Sequence, residues 1–337
     1  MIIIALESSC DETAASVCKD GKILSSIIRS QEIHNTYGGV VPEVASREHD
    51  SHINYIVHKA LDKANCTFHD IDAIAVTYGA GLLGSLLVGL NYAKGLSIGL
   101  KLPFIGVNHL EGHLYANFIS FPNLEYPYIC LLVTGGHTQI WEVQSPGKYL
   151  LHSTTVDDAA GEAFDKGARI LGLSYPGGPE IEKIAKDGDV ASFPFTIPKL
   201  KNNSLNFSFS GLKTAILYKV QEIPKENLSV NIPNLAASYQ EVIVDTLLNK
   251  LNKVINKTGI YNVSITGGVA ANKRFRSKAN LLADQKKIKL YFPETKYCTD
   301  NAAMIAIAGY QYLKEGKKSS LSLEANPSLS LDEADYV

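Results

Sequence analysis

The sequence predicts an α/β protein with two domains, and three observations support this class. With 337 residues, the chain is too long for one small core and has a length typical of two domains of ordinary size. Short apolar runs bounded by polar turns, which are typical of strands, alternate with amphipathic helical segments. A succession of strand, polar turn, strand and strand occurs twice, near residues 2–28 and 129–156. This duplication predicts two related domains.

Strands and helices alternate through the first half of the chain. Three strands open it, separated by polar turns, at residues 2–7, 14–18 and 23–28. Pro42 is favoured at the first position of a helix, and the apolar residues after it recur at helical spacing. Two further strands, 73–77 and 104–107, are each followed by a helix, one from about Leu82 and one from His109.

The second half repeats this opening and then becomes largely helical. After Tyr126-Pro127 the sequence predicts three strands, at residues 129–133, 138–143 and 150–156. Further on, a buried strand at 263–266 runs into Gly267-Gly268, and a last helix follows Asp300. Residues 192–209 are rich in Pro, Asn and Ser and predict a mobile loop.

The repeated strand pattern resembles the actin, heat-shock ATPase and sugar-kinase (ASKHA) superfold. In that fold, two related α/β domains have a nucleotide cleft between them, with hairpin turns facing the phosphates. The resemblance implies a first domain of residues 1–125 plus a C-terminal helix, 301–325, and a second domain of residues 126–300. The tail, 326–337, is expected to be disordered.

Composition favours a cytoplasmic globular protein. The chain is 45% hydrophobic and 20% charged, its apolar start meets Glu7 without a basic leader, and no apolar run approaches the length of a membrane span. The five cysteines are scattered and never spaced as CxxC, which favours a reducing compartment. A net charge of −2 argues against a globally basic nucleic-acid binder, although Lys199-Leu-Lys201 and Lys273-Arg274-Phe-Arg276 form small basic clusters.

Asn108-His-Leu-Glu-Gly-His113 is a candidate metal-binding segment. Asn108 is expected to cap a helix, with Glu111 completing a capping box. His109 and His113 are then i and i+4 on one helical face, a chelating spacing, although two ordinary histidines at a helix start would look the same. The glutamate is not adjacent to the first histidine, as the HExxH of zinc proteases requires. Asp300 is either an N-cap or a third ligand.

Two glycine-containing segments could approach a nucleotide. Thr134-Gly-Gly-His-Thr138 supplies backbone N–H groups at a strand turn, which suit phosphate oxygens, although a plain hairpin would look alike. Thr266-Gly-Gly-Val-Ala-Ala-Asn272 joins a strand end to a helix start, where a base or ribose could approach, or it simply connects the two. Asp165 is placed to hold a ribose hydroxyl. Gly178, in the rigid turn Tyr175-Pro-Gly-Gly-Pro179, could face the same ligand, although a plain turn between two helices would look the same.

Nine segments together resemble the tRNA adenosine threonylcarbamoyltransferase family, of TsaD type, whose members formerly bore the name O-sialoglycoprotein endopeptidase. In order, they are Glu7-Ser-Ser-Cys-Asp-Glu-Thr13, Tyr37-Gly-Gly-Val-Val-Pro-Glu-Val-Ala-Ser-Arg47, Asn108-His-Leu-Glu-Gly-His113, Thr134-Gly-Gly-His-Thr138, Gly161-Glu-Ala-Phe-Asp-Lys166, Tyr175-Pro-Gly-Gly-Pro179, Phe207-Ser-Phe-Ser-Gly-Leu-Lys213, Gly267-Gly-Val-Ala-Ala-Asn272 and Cys298-Thr-Asp-Asn301. Two departures, Gly79-Ala80-Gly81 for Gly-Pro-Gly and Thr134 for Ser, keep the required backbone or hydroxyl.

The resemblance implies an acyltransferase that moves a threonylcarbamoyl group from threonylcarbamoyl-AMP to N6 of the adenosine 3′ of the anticodon, in tRNAs reading codons that begin with A. It implies metal ligands at His109, His113 and Asp300, with one divalent ion per subunit, iron(II) favoured and zinc possible. It implies substrate contacts at Thr134, Gly135, Gly136, His137, Thr138, Asp165, Gly178, Glu182 and Asn272. Asp11 or Glu12, in the first hairpin turn, is our candidate base, although both could simply cap that turn.

The family resemblance also implies partners besides tRNA. Bacterial-type members act with a shorter homologous subunit, of TsaB type, and a small P-loop ATPase, of TsaE type. The helices from Glu43 to Lys63 and from Leu82 to Ile98 are the expected pairing surface. Two other function classes stay open: a metalloprotease, based on the histidine pair, and an ATPase or sugar kinase, based on the fold alone.

Overall fold

The computed structural model describes residues 1–196, 200 and 204–331. The chain forms two compact units. Unit 1 contains Met1–Leu124, Ser145–Tyr149 and Thr299–Val337, and unit 2 contains Glu125–Gln144 and Leu150–Cys298. Residues 197–199 and 201–203, which include two lysines of the first predicted basic cluster and part of the predicted mobile loop, lie outside the described residues, as do 332–337.

Unit 1 is built on a five-stranded sheet. Its strands are β1 (Ile2–Glu7), β2 (Glu12–Lys19), β3 (Lys22–Ser30), β4 (Ala73–Gly79) and β5 (Phe104–Asn108). Their order is β3-β2-β1-β4-β5, with β1, β2 and β3 antiparallel and β1, β4 and β5 parallel. The parallel strands are almost wholly buried, as their continuous apolar runs predict.

Four helices cover this sheet. They are α1 (Pro42–Lys63), α2 (Leu83–Leu100), α3 (His109–Ser120) and α9 (Ala302–Leu313), the last of which is contributed by the C-terminal part of the chain. Helices α1 and α2 pack on each other and on the sheet, and their shared core includes Ile53, Val57 and Leu90. Helix α9 packs on β1 and β2 and also against α3.

The segment from Asn326 to Leu331 is packed onto unit 1, so the expected disorder does not hold there. The Asn326 N–H donates to the Tyr78 carbonyl at 2.8 Å, and the Asn108 side-chain amide donates to the Ser330 carbonyl at 3.0 Å. Leu329 and Leu331 are buried. These contacts are non-local, which is why the polar composition of the segment did not reveal them.

Unit 2 repeats the sheet of unit 1. Its strands are β6 (Tyr128–Val133), β7 (Thr138–Ser145), β8 (Lys148–Thr154), β9 (Asn262–Thr266) and β10 (Lys289–Tyr291). The order is β10-β9-β6-β7-β8, in which β6 pairs antiparallel with β7 and parallel with β9, as β1 does with β2 and β4. The predicted duplication is therefore confirmed. Strand β10 was not predicted, because it has only three residues and begins with an exposed lysine.

The helices of unit 2 are α4 (Ala160–Ile170), α5 (Gly177–Ala185), α6 (Ser210–Glu222), α7 (Lys225–Thr258) and α8 (Lys273–Lys286). Their buried faces and the apolar residues of β6 and β9 form one core. Across the described part of both units, every helix is too short or too polar to cross a bilayer. All five cysteines are free thiols.

Candidate functional site

The histidine pair lies where a buried strand passes directly into a helix. Strand β5 ends at Asn108, whose side-chain oxygen accepts the Leu110 N–H at 2.8 Å and caps α3, as predicted. His109 and His113 follow on one face, both buried, with ring centroids 4.8 Å apart and ring planes at 85°. The one-turn spacing therefore brings both imidazoles to the same place.

Asp300 completes a three-residue cluster with these histidines. Its Oδ1 lies 3.1 Å from His113 Nε2 and 3.5 Å from His109 Nε2. The N-cap of α9 is Asn301, whose side chain accepts the Met304 N–H at 3.0 Å, so the alternative interpretation of Asp300 as the cap is wrong. One ligand atom from each of the three residues lies within 4.8 Å of the other two.

Gly112 lets the two helices of this cluster approach each other. A Cβ at this position would lie 2.7 Å from Ile305 Cδ1 and 3.1 Å from Met304 Cγ, both on α9. Because real Cβ contacts are essentially never as short as 2.7 Å, a larger residue would require the Ile305 side chain or one of the two helices to shift. The glycine therefore helps to bring Asp300, just before α9, within reach of the two histidines.

Glu7, which sequence analysis did not select, orients His109 from the opposite side. Its Oε2 lies 3.0 Å from His109 Nδ1 and accepts the Thr77 hydroxyl at 2.6 Å, while its Oε1 accepts the Ser9 N–H at 2.6 Å. The Ser9 hydroxyl also lies 3.1 Å from His109 Nδ1. With Nδ1 engaged by Glu7, His109 directs Nε2 toward Asp300, an arrangement typical of metal-binding histidines.

The two histidines have pKa values shifted in opposite directions. Burial lowers the pKa of His109, but the negative charges of Asp300 and Glu7 outweigh burial and raise it to about 9. Burial likewise lowers the pKa of His113, and here it prevails over Asp300. Without a cation, the cluster therefore holds its positive charge as a proton on His109.

The donor set fits a divalent transition metal. Two imidazole nitrogens and a carboxylate converge, and Glu7 supports one imidazole through its second nitrogen. Two histidines and one carboxylate suit iron(II) and also occur around zinc. The proton that His109 carries is the charge that a bound cation would replace.

The predicted acidic turn lies close to the same cluster. Asp11 and Glu12 follow β1 at the entrance to β2, and both are partly buried. Burial raises the pKa of the Glu12 carboxyl well above its usual value, and the negative charges of Asp300 and Asp11 raise it further. Glu12 is therefore a carboxylate with increased proton affinity beside the histidine cluster.

Glu111, expected to complete the capping box, points instead into the interior of unit 1. The carboxylate is fully buried and accepts hydrogen bonds from the hydroxyls of Tyr149 and Tyr312. Burial raises its pKa to about 7, an effect that the two tyrosines reduce. Local sequence could not reveal this arrangement, because both donors are far along the chain.

In unit 2, residues 134–138 form the predicted turn between β6 and β7. The Thr134 N–H donates to the His137 carbonyl at 2.8 Å, and the Thr134 hydroxyl accepts the His137 N–H at 2.9 Å. Buried Thr138 accepts the Ala160 N–H at 2.8 Å, which ties the turn to the start of α4. The turn is thus fixed by its own hydroxyls.

Four glycines show where this turn is crowded and where it is open. A Cβ at Gly161 would lie 2.6 Å from the Thr134 carbonyl oxygen, and one at Gly267 would lie 2.3 Å from the Val133 carbonyl oxygen. By contrast, no described atom lies within 4 Å of a Cβ placed at Gly135 or Gly136. The turn therefore packs on one side against α4 and the end of β9, and its two glycines leave room for a ligand.

The remaining predicted substrate residues make internal contacts. Asp165 Oδ1 accepts the Gly177 N–H at 2.7 Å, and burial raises the pKa of this carboxyl. Glu182 accepts the Lys273 N–H at 3.3 Å. Space is open around Gly178, one helical turn before Glu182.

Asn272 caps α8 with its side-chain oxygen and donates its side-chain amide to Oε1 of Gln240 at 2.7 Å. Both polar atoms of its side chain thus make hydrogen bonds within the protein. The contacts from Glu182 to Lys273 and from Gln240 to Asn272 join α5 and α7 to the start of α8, the region predicted to face the base or ribose.

The fold and the side-chain cluster together define the class: an ASKHA-type protein with a histidine–histidine–carboxylate cluster that could hold a metal ion. The chain is similar in fold to HypF from T. kodakarensis, with a TM-score of 0.63 at 13% identity over 93% of this chain and 48% of that chain. It is also similar to the activator of 2-hydroxyisocaproyl-CoA dehydratase from Clostridium difficile, with a TM-score of 0.54 at 16% identity over 94% and 97% of the two chains.

Sequence comparison identifies the family. Residues 22–307 match the TsaD family, described as tRNA N6-adenosine threonylcarbamoyltransferase. The chain is 50% identical to the protein of that name from Thermosipho africanus over 332 residues, which cover 98% of this chain and 100% of the relative. It is 50% identical to the one from Kosmotoga olearia over 333 residues, covering 98% and 99%. The chain belongs to the tRNA N6-adenosine threonylcarbamoyltransferase family.

Proposed function

We propose that this protein transfers the threonylcarbamoyl group from threonylcarbamoyl-AMP to N6 of the adenosine 3′ of the anticodon, in tRNAs that read ANN codons. In this step, N6 forms a bond to the carbamoyl carbon, the bond from that carbon to the phosphate oxygen breaks, and AMP and one proton leave. The observation that carries the proposal is identity of about half the residues with enzymes of this name along nearly the full chain. Because the substrate is tRNA, we assign the activity to the cytoplasm.

The metal is assigned to His109, His113 and Asp300. Iron(II) is the favoured ion, with zinc as the second choice, because both accept two imidazoles and a carboxylate. A bound divalent ion would supply positive charge for the departing phosphate. The contribution of the chain is to hold the three ligand atoms together and, through Glu7, to keep Nε2 of His109 directed at the ion.

The acidic turn of unit 1 is assigned to proton removal. The exocyclic amine of adenosine must lose a proton as it is acylated, and a nearby carboxylate can accept it. Asp11 and Glu12 are the candidates, and the raised pKa of Glu12 gives it the higher proton affinity that a base needs. Glu111 is excluded from this role because it is buried against two tyrosines.

Unit 2 is assigned to the adenylate. The turn 134–138 leaves open space at Gly135 and Gly136, and free backbone N–H groups there would suit the phosphate and acyl group. Asp165, Gly178, Glu182 and Asn272 would position the ribose and base. Because Asp165 and Asn272 already hydrogen-bond within the protein, we expect them to shape this pocket as well as to contact the nucleotide.

The outer face of α1 and α2 is assigned to the shorter homologous subunit. Four large apolar side chains are exposed on these helices: Tyr55, Leu83, Leu87 and Ile98, at 57%, 51%, 41% and 63%. Beside them runs an open groove lined by Asp50, Ile53, Leu87, Val88, Asn91 and Tyr92. An apolar groove with polar edges suits a helix of a partner protein. The small P-loop ATPase is the second proposed partner.

The direct test combines purified protein, an unmodified tRNA transcript and preformed threonylcarbamoyl-AMP, with and without the two proposed partners. We expect mass spectrometry of nucleosides from the digested tRNA to show threonylcarbamoyladenosine, with little multiple turnover until the partners are added. A transcript with guanosine in place of the target adenosine is the substrate control.

The double variant His109→Ala/His113→Ala is the protein control, because it should lose metal and activity while keeping its fold. Peptide cleavage, or ADP formation from ATP without tRNA modification, would instead favour the protease or the kinase class.

A further inference from the structure

One backbone carbonyl in the acidic turn is bonded by two of the helices that cover the sheet of unit 1, α1 and α2. Cys10 immediately precedes Asp11 and Glu12, and its carbonyl oxygen lies 2.9 Å from His49 Nε2 on α1 and accepts the Ser85 hydroxyl on α2 at 3.3 Å. A carbonyl oxygen has two lone pairs, so these two bonds satisfy it. The position of the turn is thereby fixed from the helix layer.

His49 also holds the turn from its other end. Its Nδ1 lies 2.8 Å from the hydroxyl of Thr13, the residue directly after Glu12. His49 is fully buried, and Thr13 is only 1% exposed, so solvent cannot replace either bond. One imidazole therefore bonds to the residue before Asp11 and the residue after Glu12.

The two contacts determine the tautomer of His49. Because the Cys10 carbonyl can only accept, Nε2 must carry the hydrogen, and Nδ1 then accepts the Thr13 hydroxyl hydrogen. Burial lowers the pKa of His49, which favours the neutral ring that this pattern requires. The neutral ring thus joins the two ends of the turn, with one nitrogen donating to Cys10 and the other accepting from Thr13.

Helix α2 approaches the same turn closely. The Ser8 hydroxyl donates to the Ser85 carbonyl at 2.9 Å, and a Cβ at Gly89 would lie 2.3 Å from that hydroxyl oxygen. Just before α2, a Cβ at Gly81 would lie 2.5 Å from the Ser9 carbonyl oxygen. The turn is therefore in close contact with Gly81 and Gly89 on this side and is held by His49 on the other, so it has little room to move.

We propose that His49 is a positioning residue for the transfer reaction. By bonding to Cys10 and Thr13, His49 keeps Asp11 and Glu12 in a fixed position relative to the histidine–histidine–carboxylate cluster. The proposal rests on the proposed function of the acidic turn. His49 does not touch substrate; it acts through the backbone on each side of the two carboxylates. Small misplacements of reacting groups cost rate more than binding, so kcat is the parameter expected to change.

Two pairs of variants test this role. His49→Leu removes both bonds, whereas His49→Gln keeps an N–H donor that can reach the Cys10 carbonyl. Thr13→Val removes the hydroxyl at nearly constant shape, and Thr13→Ser restores it. We expect kcat to fall roughly tenfold to a hundredfold in His49→Leu and less in Thr13→Val, with KM for threonylcarbamoyl-AMP within about twofold. His49→Gln and Thr13→Ser should recover much of the loss.

Ser25→Ala is the matched control. The Ser25 hydroxyl donates to the Ala60 carbonyl at 2.7 Å, so it is another buried bond between α1 and the sheet, but on β3 and away from the acidic turn. This variant should lose stability and keep kcat. Metal content should be unchanged in all five variants, because none of the altered side chains belongs to the cluster.

Amide hydrogen exchange of residues 8–13 provides a readout independent of activity. His49→Leu and Thr13→Val should accelerate exchange in this segment, whereas Ser25→Ala should not. Unchanged kcat and unchanged exchange in Thr13→Val would overturn the proposal even if His49→Leu failed to fold. Equal losses in His49→Leu and Ser25→Ala would also overturn it. Absence of threonylcarbamoyladenosine with the parent protein would instead count against the proposed function, while the exchange data would still decide the role of His49.

Discussion

Replacing Glu7 with glutamine should weaken metal binding without altering the shape of the site. The carboxylate accepts the Ser9 N–H through Oε1, and its Oε2 faces both the Thr77 hydroxyl and His109 Nδ1. A glutamine must place its NH2 group at one of these two oxygen positions. If the NH2 group faced Ser9, two donors would face each other, because the Ser9 backbone N–H can only donate. If it faced His109 and Thr77, the imidazole could change its tautomer and the hydroxyl could rotate, so that both could accept. The second orientation is therefore favoured.

That orientation changes the tautomer of His109. With an N–H opposite Nδ1, the ring accepts at Nδ1 and carries its hydrogen on Nε2, the nitrogen directed toward Asp300. A protonated Nε2 cannot bind a metal, so the ion must first reverse the tautomer. Loss of such supporting carboxylates typically costs 10–100-fold in metal affinity, which corresponds to about 1.4–2.7 kcal/mol.

Calorimetric titration of metal-free protein with zinc, and with iron(II) under anaerobic conditions, measures the effect. Glu142→Gln is the matched control, because Glu142 Oε2 lies 2.8 Å from His152 Nε2 in unit 2, a comparable carboxylate–imidazole pair outside the cluster. We expect a 10–100-fold weaker Kd in Glu7→Gln and the parent value in Glu142→Gln. Parent affinity in Glu7→Gln would refute the argument that Glu7 sets the tautomer.

Three further predictions follow from the described contacts. In the folded protein the pKa of His109 is raised from 6.5 to about 9, so the free energy of unfolding of metal-free protein should fall as pH rises from about 6.5 to 9. Chemical denaturation of His109→Gln should show a smaller fall over the same pH range. Gly136→Val, at an open position, should weaken adenine-nucleotide binding roughly tenfold by calorimetry with a near-parent Tm; equal affinity would make the turn purely structural. Asp157→Ala removes the carboxylate that accepts the N–H groups of Phe209 and Ser210 at the start of α6 and should cost about 1 kcal/mol in urea unfolding, whereas no change would show that other groups hold this end.

The pairing of the two histidines in the candidate metal cluster was predictable because its geometry follows from local rules. Helix periodicity alone places His109 and His113 on one face once the helix is known to begin after β5. The position of Asp300 before the last helix was also apparent, but its role depended on where α9 packs, and that came from the family resemblance. In the structure Asp300 lies beside the two histidines, and its role as a metal ligand stays a prediction.

Other features of the site depend on residues far apart in the chain, and single-sequence patterns do not report them. Glu7 at the end of β1 contacts His109 after β5, with strand β4 between them. Glu111 leaves its expected capping position because two distant tyrosines offer hydroxyls in the interior. Asn272 is a different case, because a strong local preference for N-caps explains its position. Its contact with a nucleotide stays a prediction.

The duplicated sheet explains how one fold can supply two kinds of chemistry. Strand β1 of unit 1 and strand β6 of unit 2 hold equivalent positions in the two sheets, and each leads into a hairpin turn. In unit 1 this turn carries Asp11 and Glu12; in unit 2 it carries Gly135 and Gly136. Carboxylates repel a phosphate but can accept the proton of an amine, whereas exposed backbone N–H groups can bind an anion. On the proposed function, the two copies of one turn have therefore diverged to serve the two reactants: the acidic turn the amine of adenosine, and the glycine turn the adenylate.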